Sequence, residues 1–127
     1  MFYTIDIAGI CQEADTLVSE YETRNPSEIA DKLHIIIKER NLDYEGGSLK
    51  AFSASFFGKF CICINKSLDE KLYKCILTHE IGHVVLHKDI LKNDEFIYDF
   101  EIVSTLKGIE AEANFFASEI LISDDDI

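Results

Sequence analysis

The sequence predicts an α+β domain in which a small antiparallel or mixed sheet packs against one central helix and further helices. Apolar residues recur at helical spacing near both ends of the chain. Between residues 34 and 65, short runs are rich in β-branched and aromatic side chains. From Ser67 to Leu86 the chain reads as a helix that is apolar nearly all round, so it needs cover on every side. A chain of 127 residues with 47% apolar side chains is enough for one core, which makes residues 1–127 a single domain on this reading.

Residues 6–23 place Ile7, Ile10, Ala14, Leu17, Val18 and Tyr21 on one side of a helix. In RNPSEIADKLH, Asn25 caps a second helix, Pro26 fits its first position and Glu28 stands where a capping-box acid belongs. That helix runs to about Leu33. HIIIKER reads as a strand and NLDYEGGS as turn chemistry. LKAFSASFFGKFCICIN reads as two strands joined at Gly58-Lys59. Ser67 or Asp69 caps the long helix, residues 87–107 show no period that assigns an element, and GIEAEANFFASEILI is a final helix with Ile109, Ala113, Phe116 and Ile120 on one stripe. SDDDI reads as a solvated end.

Twenty-four acidic against 12 basic side chains give a formal charge of -12, which opposes direct nucleic-acid binding and anionic membranes, since both need clustered Lys and Arg. The first residues carry no signal-peptide pattern and no apolar run approaches a membrane span, so the expectation is a cytoplasmic protein. There the four cysteines are free thiols; Cys61 and Cys63 alternate onto one face of a strand and suit core packing, with no second pair to complete a metal site.

The chemistry is concentrated in THEIGHVVLH, Thr78–His87. His79 and His83 stand one helical turn apart, about 6 Å between β-carbons, so both imidazoles can reach one ion. Zinc (Zn2+) takes imidazole nitrogen at about 2.0 Å and keeps an open position for water in catalytic sites. Glu80, beside His79, can take the proton from that water, as in H-E-x-x-H hydrolases. Burying two histidines and a carboxylate without partners is costly, and one metal satisfies all three. Gly82 inside the helix needs a reason such as close packing.

A third ligand must come from His87, Glu95, Glu101, Glu110, Glu112 or Glu119. His87 lies about 80° from His79 on the wheel and two turns along, so it reads as a structural residue at the helix end. Asp89 stands where a metzincin would carry its third histidine. In the final helix Glu112 and Glu119 border the apolar stripe on one side and Glu110 on the other, and periodicity only weakly favours Glu112, which is bracketed by Ala111 and Ala113.

NPSEIADKLHI, FCICIN, THEIGHVVLH and IEAEANFFASEIL follow in an order and spacing that resemble the ImmA/IrrE family of metallopeptidases, over about Asn25 to Leu121. The resemblance implies a compact zincin-like fold, His79 and His83 as ligands, Glu80 as catalytic acid and base, and Glu112 as third ligand. It also implies cleavage of a helix-turn-helix repressor of a mobile element or stress locus. The acidic charge suits a protein that approaches a DNA-binding protein rather than DNA, and FCICIN is the strand expected to pair with an extended substrate. Ser123 replaces a proline common in the family, and the chain is expected to be truncated or a short natural member. The leading reading is a zinc-dependent endopeptidase acting on a regulatory protein. The alternatives are a metal-stabilised, non-catalytic interaction module that binds a regulator, and a metal-free core helix.

Overall fold

The computed structural model describes residues 4–92, 96–99 and 107–122. Helices α1 (Ile7–Tyr21) and α2 (Pro26–Lys32) lead into strands β1 (Ile36–Arg40), β2 (Asp43–Tyr44), β3 (Gly47–Ser48), β4 (Ala51–Phe56) and β5 (Lys59–Asn65). They are followed by α3 (Glu70–Leu86), α4 (Lys88–Leu91), β6 (Phe96–Asp99) and α5 (Lys107–Leu121). The α+β class read from the sequence is the architecture observed. The main sheet has the order β1-β5-β4-β6, with β1 parallel to β5 and β4 antiparallel to both neighbours, while β2 and β3 form a separate small hairpin.

Local chemistry sets the element ends. The Asn25 side chain accepts from the Ser27 backbone N–H, and Asp69 caps α3 by accepting from Leu72. The second helix stops in a Schellman arrangement: His34 takes φ 59°, its N–H reaches the Asp31 carbonyl, and the Ile35 N–H reaches Ala30. His34 therefore ends a helix, and the strand read as HIIIKER starts two residues later, at Ile36. The β4–β5 turn is also corrected by one residue. Phe57 and Gly58 occupy it with φ 50° and 78°, the positive-φ pair of a type I′ turn, while Lys59 already pairs with Phe56.

Ile62 and Ile64 of β5 face the core, fully buried, with Ile29, Leu77, Ile81, Phe116 and Ile120. Cys63 and Cys61 share the opposite face of the strand, one buried and one half-buried, so the main core rests on the isoleucines rather than the thiols. Because β5 is hydrogen-bonded to β1 on one side and β4 on the other, FCICIN has no free edge for a substrate strand. That expectation is overturned: within the described sheet the edges belong to β1 and β6.

Two polar ties join elements distant in sequence. At the end of β5, buried Asn65 donates to the Asp43 carboxylate and the Leu49 carbonyl, and its own oxygen accepts from the Ser67 N–H and hydroxyl, so it joins the sheet to the start of α3. Arg24, between α1 and α2, donates to the carbonyls of Glu119 and Ile120, the exposed acceptor end of α5. Among the described residues no helix is long and apolar enough to cross a membrane. The tail Ser123–Ile127, Ser123 at the family's proline position included, lies outside the described residues.

Candidate metal centre

Helix α3 changes character halfway along. Up to Ile76 its side chains are exposed or half-buried, whereas every residue from Leu77 to Val84 is buried. In that buried half, Thr78 satisfies its hydroxyl on the Lys74 carbonyl at 2.7 Å. His79, Glu80 and His83 must find partners on neighbouring elements.

Gly82 lets the main neighbour, α5, come close. A Cβ at this position would lie 3.1 Å from Phe116 Cδ1 and 3.3 Å from both Cα and the carbonyl oxygen of Ala113. This is the close packing for which the sequence asked. It brings Glu110 of α5 against the two histidines: His79 Nε2 lies 2.7 Å from Oε2, and His83 Nε2 lies 3.1 Å from Oε1. Ligand-type atoms of His79, His83 and Glu110 all fall within 4.8 Å of one another, a grouping found at one place among the described residues. The rings meet edge to face with centroids 4.7 Å apart.

The hydrogen bonding indicates what the trio can hold. His79 Nδ1 lies 2.8 Å from the side-chain oxygen of Asn114, an acceptor, so the ring proton is assigned to Nδ1 and the Nε2 lone pair turns toward Glu110. A lone pair opposite a carboxylate oxygen calls for a cation between them. His83 Nε2 and Glu110 Oε1 face each other while buried and outside hydrogen-bond geometry. Burial pushes the His83 imidazole below its ordinary pKa, and the charges of His79 and His87 act the same way, against the raising effect of Glu110. A proton is thus a poor choice of cation at His83. Burial alone would push the Glu110 carboxyl up, but contact with His79 and His83, once those rings carry a second proton, outweighs it and holds the group at about 2. Two imidazole nitrogens and an ionised carboxylate are a donor set for a divalent transition metal.

Glu80 is fully buried beside this trio. Its Oε1 accepts the Ser53 hydroxyl of β4 at 2.7 Å, and its Oε2 lies 3.9 Å from His79 Nε2. One oxygen is therefore anchored to the sheet and the other is turned to the centre.

The structure places His79, Glu80 and His83 together, and it corrects the third member of the set. Glu112 does not join the two histidines; its Oε1 sits 3.0 Å from His87 Nε2, on the other flank of α5. Two residues along a helix rotate a side chain by about 200°, so Glu110 and Glu112 straddle the apolar stripe. A wheel drawn for one helix is symmetric about that stripe and cannot say which flank meets α3. One sequence signal did point to Glu110: Asn114 stands one turn after it, so an acid and an amide share a face and both reach His79. Ser53 had no comparable signal, being one of several small residues in β4. His87 sits at the end of α3 as expected, but its ring also reaches inward, with Nδ1 3.0 Å from His83 Nδ1. Glu119 lies at the far end of α5 near Cys11, and Glu95 and Glu101 lie outside the described residues.

Residues 30–127 match the IrrE N-terminal-like domain. The chain is 28% identical over 120 residues to Metallopeptidase ImmA of Bacillus subtilis (strain 168), covering 91% of this chain and 64% of that protein. Over 108 residues it is 32% identical to the Uncharacterized immunity region protein 2 of Bacillus phage phi105, covering 85% of this chain and 65% of the phage protein. It thus spans just under two thirds of the length of these relatives. Because the match takes in the whole of α3 and α5, the two helices that meet at the histidines, this chain belongs to the ImmA/IrrE family of metallopeptidases.

Proposed function

We propose that this protein is a zinc-dependent endopeptidase that cuts a regulatory protein, with a helix-turn-helix repressor as the expected substrate class. The observation that carries the reading is the convergence of His79, His83 and Glu110 within 4.8 Å, with Glu80 buried at their side. Three N/O donors favour zinc among divalent ions. The names of the two relatives, a metallopeptidase and a phage immunity-region protein, support the reaction class and a mobile-element setting.

When bound by His79, His83 and Glu110, the ion supplies Lewis acidity toward the scissile carbonyl and lowers the pKa of water toward about 7. The protein's own part lies in Glu80. Its Oε2 takes a proton from the water that attacks the carbonyl carbon and hands it to the amine nitrogen as the C–N bond breaks. Ser53 holds Oε1, so the same oxygen serves both transfers. Asn114 orients the His79 ring from the opposite side.

Glu80→Gln tests this reading. Zinc content and partner binding should be retained, with cleavage of the repressor encoded beside the gene reduced by at least about 100-fold. Undiminished biological effect in that variant would favour a metal-stabilised module that binds without cutting.

A further inference from the structure

Glu112 and His87 are left without a part in the chemistry above, yet they are linked to it. Glu112 Oε1 lies 3.0 Å from His87 Nε2, His87 Nδ1 lies 3.0 Å from His83 Nδ1, and His83 Nε2 faces Glu110. His83 is fully buried and His87 is 6% exposed, so water does not compete between the two rings. We propose that Glu112 and His87 are positioning residues that fix which nitrogen of His83 carries its proton and thereby tighten the hold of the centre on its metal.

The direction of the relay follows from what each atom can do. An ionised carboxylate only accepts, so the His87 nitrogen beside Glu112 carries a hydrogen. A neutral His87 then has a bare Nδ1, and the ring nitrogen facing it, His83 Nδ1, must donate. With its proton on Nδ1, His83 offers the Nε2 lone pair to the same side as His79 Nε2. The reverse arrangement of two neutral rings would set a bare His87 nitrogen against the Glu112 carboxylate. Each histidine of the pair thus has its outer nitrogen held by α5, His79 directly through Asn114 and His83 through His87 and Glu112. Such outer partners orient a ligand ring and raise its basicity, and their loss costs about 10- to 100-fold in metal affinity.

The inference rests on the metal-centre reading, and the test separates the two. Zinc affinity would be measured by competition with a fluorescent chelator for wild type, His87→Leu, His87→Gln, Glu112→Gln and Glu110→Gln. The ring tautomer of His83 would be read in the zinc-free protein from long-range proton–nitrogen NMR correlations. The expected result is a proton on His83 Nδ1, zinc binding weakened about 10- to 100-fold in His87→Leu, and a smaller loss in Glu112→Gln. His87→Gln should recover most of the affinity, because its amide oxygen can accept from His83. Unchanged zinc affinity in His87→Leu with only a lowered melting temperature, or a proton found on His83 Nε2, would overturn the relay. Zinc lost in Glu110→Gln and kept in every relay variant sinks the relay alone, whereas wild type that binds no zinc sinks the metal centre with it. If His87→Leu does not fold, the near-isosteric Glu112→Gln decides: a measurable loss supports the relay and none refutes it.

Discussion

Glu110 and Glu112 are separated by one alanine and differ in almost everything that matters. The first meets the inner nitrogens of His79 and His83; the second meets His87, one step removed. Between them runs the stripe of Ala113, Phe116 and Ile120, fully buried against the core. The contrast teaches that residue type and spacing nominate both carboxylates, while the crossing of α5 over α3 assigns them different work. Gly82 and Ala113 set that crossing, because they hold the two backbones close enough for a short glutamate to span the gap.

The contrast breaks most visibly at Glu110 itself. On the proposed function Glu110→Gln removes the charged ligand and should weaken metal binding by more than about 100-fold, beyond the 10- to 100-fold typical of residues that only support a ligand. Metal titration of the two single variants side by side would check it; equal losses at positions 110 and 112 would mean that the flanks had been assigned wrongly.

Much of the fold was legible in the sequence. The caps at Asn25 and Asp69, the β4–β5 hairpin and the three long helices follow from local chemistry that leaves a mark in a few adjacent residues. So did the pair His79 and His83, whose spacing is a property of one helix. The hydroxyl of Ser53 on Glu80 and the interior position of β5 depend on contacts between elements distant in sequence, for which a single helix or strand pattern carries no information, and the choice between Glu110 and Glu112 left only the spacing of Asn114 as a trace. The one-residue error at the hairpin has a different origin: a type I′ turn asks for positive φ at both central positions, and Phe57 accepts a conformation that bulky side chains seldom adopt.

Gly82→Ala attacks the approach between α3 and α5 rather than either flank. Alanine gains about 1 kcal/mol in helix propensity. The added methyl, however, would meet the Ala113 backbone, which cannot swing aside, and overpacking of this kind costs about 1 to 3 kcal/mol. The expected outcome is a lower melting temperature together with weaker metal binding, since any outward shift of α5 carries Glu110 away. Stabilisation with intact metal binding would show that the crossing tolerates more space than the contacts indicate.

Acid should expose the Glu110 flank next. Its carboxyl is held at about 2, below the ordinary value of 4.5, so the unfolded chain binds the proton first and the associated stability is lost as pH falls from about 4.5 toward 2. His83 acts in the same direction over a higher window: its pKa is lowered from 6.5, so stability begins to fall as pH drops below that value. Denaturant midpoints of the metal-free protein across this range should show both slopes in wild type, with the lower one reduced in Glu110→Gln. The smallest effect belongs to the outward face of α5, where Ser118→Ala should change stability by no more than about 0.5 kcal/mol in the same assay.

Arg24 links an early part of the chain to a late one. By closing on the carbonyls of Glu119 and Ile120 it ties the beginning of the chain to the end of α5. A ribosome delivers His79, Glu80 and His83 well before Glu110 and Asn114, so a half-made chain carries the two rings and Glu80 but neither of the α5 side chains that meet His79. The convergence of His79, His83 and Glu110 is therefore incomplete until α5 has docked against α3.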